Sequence, residues 1–141
     1  MQILFVCTGN SCRSVMAEAL LKKMLSNRKN LFSIASAGTG TMDGYPASEA
    51  TIRILKNEEG LDVSNHHSRC LTAEMIEAAD KIYVMEAMHR DWILNIRPDA
   101  AAKVALLNNE GIPDPIRMSD DFYKNVLIVI RRSVLKLTEG L

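Results

Sequence analysis

Aromatic residues are scarce in this 141-residue chain, at 5% with one tryptophan, and there is no excess of either charge: seventeen Lys and Arg balance seventeen Asp and Glu. That balance excludes a global field able to hold the protein on nucleic acid or an anionic membrane, so any anion site has to be local. Long hydrophobic runs are absent too. The first apolar stretch, Ile3 to Val6, has no basic residue before it and is far too short for a secretory core or a membrane span, and a cytoplasmic protein is expected. The three cysteines, Cys7, Cys12 and Cys70, form neither a disulfide framework nor a paired C-x-x-C zinc pattern, so thiols are expected and no metal or cofactor. With no repeat, low-complexity tract or linker, residues 1–141 read as one domain, large enough to bury a core without staples.

What is present is an ordinary globular composition, 48% apolar and 24% charged. Its pattern alternates. Residues 2–6 (QILFV) form a short apolar run of strand formers, and residues 14–27 place Met16, Leu20, Leu21 and Met24 at helical spacing. Residues 32–36 read as a second strand, and a helix follows from about Ala47 to Glu58, stopped before Gly60. Strands are expected at 81–85 and 104–107, with a helix at 87–96 between them that Pro98 ends. The run V-L-I-V-I at 126–130 has strand propensity, yet it lies within Asp120 to Thr138, which lacks Gly and Pro. There Phe122, Val126, Leu127, Ile130, Val134 and Leu137 keep helical spacing, so a helix is expected. Such alternation predicts an α/β fold: a four-stranded parallel sheet with helices on both faces, right-handed crossovers, and a ligand site beyond the carboxyl ends of the strands.

The stretch C-T-G-N-S-C-R-S, residues 7–14, lies at that edge. A strand-to-helix loop carries unpaired backbone N–H groups, and the helix dipole adds partial positive charge, which together make an anion cradle. Gly9 and Asn10 can take left-handed conformations that turn successive N–H groups inward, and Arg13 adds a planar fork matching two phosphate oxygens. A lone cysteine at a strand end is more often a small buried hydrophobe. Here the cradle, the dipole and Arg13 would all stabilise a Cys7 thiolate beneath a bound phosphate, the position of a nucleophile. The glycines of S-A-G-T-G-T-M-D-G at 36–44 spell no phosphate motif and read as marking only a loop. A cysteinyl-phosphate mechanism also needs an acid that later activates water. In I-P-D-P-I, residues 112–116, two prolines stiffen the backbone around Asp114, which is either that acid or part of a plain turn before the last helix.

The loop and the distant Asp-Pro together resemble the low-molecular-weight protein-tyrosine-phosphatase family, and so do M-A-E after the loop, S-A-G-T at 36–39, H-x-x-R-x-x-T from His66 to Thr72 and A-D-K-I-Y-V-M at 79–85. The resemblance spans essentially the whole chain. It implies Cys7 as nucleophile, Arg13 as phosphate clamp and Asp114 as general acid, then base. Backbone donors would come from Thr8, Gly9, Asn10, Ser11, Cys12 and Arg13. Ser14 resembles the hydroxyl that hydrogen-bonds the nucleophile, and Asn10, Ser36 and His66 resemble a network supporting the loop; His66 beside His67 also fits an uncommitted surface histidine. Cys12 resembles a second loop cysteine that pairs with the nucleophile under oxidation. The implied partners are a phosphorylated protein and, in the loop, inorganic phosphate or a similar oxyanion.

Departures from the family pattern bear on substrate. Val15 replaces a usual proline, Ile116 stands where an aromatic residue often follows Asp-Pro, and Tyr45 is the one aromatic candidate for a wall in the loop after Gly38. Ser11 occupies a position that is bulky and aliphatic in phosphotyrosine-preferring members and a small hydroxyl residue in the protein-arginine phosphatase branch. Phosphotyrosine and aryl phosphates are the expected substrates, with phosphoarginine the alternative. An arsenate reductase, which would need two more cysteines for its thiol cascade, and a non-catalytic phosphate-binding module are the remaining rivals.

Overall fold

The computed structural model describes residues 1–141. Four strands, β1 (Gln2–Cys7), β2 (Ser33–Gly38), β3 (Lys81–Val84) and β4 (Val104–Leu106), form one sheet in the order β2-β1-β3-β4, every pair parallel. The crossovers carry helices α1 (Arg13–Met24), α2 (Glu49–Glu59), α3 (Ala73–Ala78) and α4 (Ala87–Ile96), and α5 (Asp120–Thr138) follows β4. The expected fold class is found.

Strand β1 shows why both faces are covered. Its side chains alternate between two cores: Ile3, Phe5 and Cys7 belong to an 18-residue cluster with α1, α2 and α5, while Leu4 and Val6 belong to an 11-residue cluster with Ile76 of α3 and Ile93 of α4. Tyr83 continues the first face, its ring centroid 5.9 Å from that of Phe5. Fully buried side chains such as Leu20 and Ile130 each contribute about 1.5–3 kcal/mol through burial. Cys7 therefore ends β1 on the face covered by α1 and α5, at the carboxyl edge of a central strand.

Helix ends follow local chemistry. The hydroxyls of Ser48, Thr72 and Ser119 accept the N–H groups of Thr51, Met75 and Phe122 and so start α2, α3 and α5. Gly60, at φ +68°, terminates α2 in the left-handed region. Helix α1 has no such cap: Cys12 stands at its N-cap position without a side-chain bond to the helix backbone, and its first turn has no acidic residue. Its N-terminus is left open toward the loop.

Several boundaries differ from expectation. α1 ends at Met24, and the chain passes at Leu25 into a 3₁₀ turn, Ser26–Leu31. The six-residue α3 was not expected. By contrast α4 ends at Ile96 as expected, with Arg97 before Pro98 out of the helical region at φ −136°; Pro98 then opens a second 3₁₀ segment, Pro98–Lys103, where its missing N–H costs nothing. The largest correction concerns the glycines at 36–44. Ala37 and Gly38 are strand, Gly38 is in register with Cys7, and its N–H and C=O bond Arg69 and Leu71 at 2.9 Å each. A Cβ on Gly38 would lie 2.5 Å from the Thr8 carbonyl oxygen, so this glycine permits the close approach of two backbones rather than marking a loop. No helix is long and apolar enough to cross a membrane.

Candidate active site

The loop between β1 and α1 is held by hydrogen bonds from several sides. Asn10 takes a left-handed conformation, φ +51°, and is fully buried. Its Nδ2 donates to Ser14 Oγ at 2.8 Å and to Ser36 Oγ at 2.9 Å, while its Oδ1 accepts the Arg69 N–H at 2.9 Å. His66 Nε2 lies 2.8 Å from the Asn10 carbonyl oxygen, to which it donates. The three residues expected to support the loop, Asn10, Ser36 and His66, are thus brought together, and His66 is committed, unlike the exposed His67. Thr39 and Gly40 extend the β2 edge, donating to the carbonyls of Cys7 and Thr8 at 2.9 Å.

Cys7 Sγ is 3.0 Å from Ser14 Oγ. That hydroxyl already accepts from Asn10, so its own proton is free to be donated to the sulfur. Behind Ser36 stands Glu18, whose carboxylate accepts the Ser36 proton. The donors run in sequence from Asn10 to Ser36 to Glu18 on one side, and from Asn10 to Ser14 to Cys7 on the other.

Arg13 opens α1 and is 1% exposed. Its Nη1 pairs with the Glu86 carboxylate and donates to the Ile112 carbonyl at 2.7 Å; Nη2 lies 3.7 Å from Asp114 Oδ2. Its Nε is buried without a protein partner. A buried cation with an unsatisfied donor, beside a cavity that Arg13 also lines, suits an oxyanion as its further acceptor. That cavity, of about 220 Å³, is lined by Cys7, Thr8, Gly9, Ser11, Cys12, Arg13, Asp114 and Ile116. Asp114 reaches it from the opposite side, its Oδ1 accepting the Ile116 N–H at 3.1 Å in an Asx turn. The expected catalytic trio therefore faces one space. No group of three His, Cys, Asp or Glu side chains is placed to hold a metal.

A family model described as low molecular weight phosphotyrosine protein phosphatase matches residues 2–141. The chain belongs to that family. Among its relatives, the probable low molecular weight protein-tyrosine-phosphatase AmsI of Erwinia amylovora is 39% identical over 143 residues, 99% of this chain and 96% of that protein. The crystal structure of the low molecular weight protein tyrosine phosphatase from T. tengcongensis superposes with a TM-score of 0.93 at 32% identity, covering 100% of this chain and 99% of that one. The YwlE arginine phosphatase, solved as a Cys-to-Ser mutant with a phosphorylated active-site serine, superposes at 0.92 with 30% identity, covering 100% of this chain and 95% of that one.

Within this phosphatase, the sequence reading missed Glu18, Glu86, His89 and Tyr123. His89 is 1% exposed, and its pKa is lowered to about 4, first by burial and then by the charge of Arg13, so the ring is neutral near pH 7. Tyr123 and Ser48 place their hydroxyls 3.4 Å from Cys12 Sγ, and burial first, then the Cys12 contact, raises the Tyr123 phenol to about 12. All three cysteines are free. Tyr45 is 55% exposed and does not line the cavity; Ile116 takes that place. The expectation of Tyr45 as a wall is corrected accordingly.

Proposed function

We propose that this phosphatase hydrolyses phosphotyrosine in proteins by double displacement at phosphorus. The ionised Cys7 sulfur attacks the phosphorus, the bond to the phenolic oxygen breaks, and Asp114 delivers its proton to that oxygen. The same carboxylate then takes a proton from water, which displaces Cys7 and releases inorganic phosphate. Arg13 and the loop amides neutralise charge on the transferring group, so positioning and electrostatics carry most of the rate. A single observation carries this reading: Cys7, Arg13 and Asp114 line one small cavity. As a member of its family the protein is a phosphoric monoester hydrolase.

A second substrate reading has its own support. Ser11 lines the cavity with a small hydroxyl and Ile116 leaves the wall without an aromatic ring, which admits a phosphorylated guanidinium; the structural likeness to the YwlE arginine phosphatase points the same way. One experiment covers both. kcat/KM on phosphotyrosine and phosphoarginine peptides is compared for the parent, Cys7→Ser and Ser11→Ile. The parent is expected to hydrolyse phosphotyrosine with Cys7→Ser inert, and Ser11→Ile to lower any phosphoarginine activity selectively. Activity surviving in Cys7→Ser would remove the covalent mechanism.

Oxidative control belongs to the same proposal. A peroxide oxidises the Cys7 thiolate to a sulfenic acid, and the Cys12 thiol condenses with it to a disulfide, releasing water. Thiols are expected to restore peroxide-treated parent enzyme but not Cys12→Ser; equal recovery of both would dismiss the pairing.

A further inference from the structure

His89 has no part in the steps above, yet both its ring nitrogens are engaged beside the loop. Nδ1 accepts the Glu86 N–H at 3.0 Å, so the neutral ring carries its proton on Nε2, which lies 2.9 Å from Thr8 Oγ1 and donates to it. Thr8 directly follows Cys7 and lines the cavity. On its other side its carbonyl accepts from Gly40 and abuts Gly38, where only a hydrogen fits. Thr8 is therefore pinned from β2 through its backbone and from α4 through its side chain. The next residue, Gly9, lines the cavity as well.

The same turn of α4 holds the other end of the loop. Glu86, whose N–H binds the His89 ring, pairs through its carboxylate with Arg13. One imidazole thus sits between the residue after the nucleophile and the residue that grips the clamp.

We propose that His89 is a positioning residue for the phosphate loop: by donating to Thr8 and accepting from the Glu86 backbone, it sets the start of the anion cradle against the Arg13 clamp. It touches neither substrate nor the reacting atoms. The role requires the neutral ring, because a proton on Nδ1 would break the Glu86 bond. The charged groups facing the ring are Arg13 from α1, which opposes that proton, and Glu86 and Asp114 from α4 and the 112–116 segment, which favour it.

The proposal rests on the phosphatase reading, and its test separates the two. Aryl phosphate hydrolysis from pH 4 to 8, inorganic phosphate binding by calorimetry and thermal melting are measured for the parent, Thr8→Val, His89→Phe, the double variant and His89→Gln. His89→Phe and Thr8→Val are each expected to lower kcat/KM about tenfold, a cost in keeping with a small misplacement of catalytic geometry. The double variant is expected to be no worse than either single one, since one contact is lost in all three. Glutamine offers an acceptor for Glu86 and a donor for Thr8 without titrating, so His89→Gln should recover kcat/KM to within about threefold. It should also lose the decline in kcat/KM and phosphate affinity that the parent shows toward pH 4. Multiplicative losses in the double variant, or a glutamine variant that melts like the parent yet behaves like phenylalanine, would overturn the role. A parent that binds phosphate but hydrolyses nothing would instead overturn the phosphatase reading.

Discussion

The loop after β1 and the segment that brings Asp114 to it face the same cavity, but they are held very differently. In the loop, Asn10 alone makes four hydrogen bonds to other segments or to Ser14, and Cys7, Arg13 and Ser14 are buried. Across the cavity, Ile112 is anchored by its N–H to the Met85 carbonyl at 2.9 Å and is fully buried, but the next residues rise to the surface. Asp114 has a 40% exposed side chain, one Asx-turn bond and a loose 3.7 Å approach to Arg13. The difference suits the two tasks proposed for them. A cradle works by preorganised donors that need not move as charge develops, whereas an acid has to meet leaving groups of varied shape and then admit water.

Removing the acid should separate the two regions most sharply. Asp114→Ala is expected to lower kcat by about 10²–10³, in the range of general acid catalysis. Phosphate affinity should be unchanged or tighter, because a negative charge leaves the side of Arg13. A fall in phosphate affinity matching the fall in kcat would make Asp114 part of the cradle instead. Next in size is Asn10→Ala, which breaks the loop's network and puts a Cβ-bearing residue with no local hydrogen bonding at positive φ. A tenfold or greater loss of kcat/KM is expected together with about 2 kcal/mol of stability, read from activity and urea melts. Asn10→Gly relieves only the backbone, and if it restored activity fully the side-chain network would be dispensable. The smallest effect should come from Pro113→Ala, which loosens the exposed acid segment: kcat lower by about two- to threefold, phosphate binding and melting temperature unmoved. A loss of binding there would show the two regions to be rigidly coupled.

Much of this arrangement could be read from the chain, and what could not shares one cause. Helix α5 was legible in spite of its V-L-I-V-I run because nineteen residues without Gly or Pro let the apolar stripe from Phe122 to Val134 declare its period. The six residues of α3 are too few to show a period, and the Thr72 cap was the one local sign of it. Cys7 and Arg13 announce themselves because they share one loop, and Asp114 because two prolines frame it. Glu86 and His89 look like the first turn of an ordinary surface helix; their partners Arg13 and Thr8 lie 73 and 81 residues away, and only the closure of the sheet brings them within reach. One general sign exists: a buried arginine requires a carboxylate to neutralise it at rest, and Glu86 supplies it for Arg13. Gly38 departs from expectation for a related reason, since the backbone crowding it relieves comes from Thr8, thirty residues earlier in the loop after β1.

The Arg13 guanidinium finds its acceptor on Ile112 ninety-nine residues further along the chain. A contact of that span cannot form locally, so no fragment lacking the segment after β4 holds the clamp, and the loop around Cys7 is finished only when the chain beyond the sheet has closed on it.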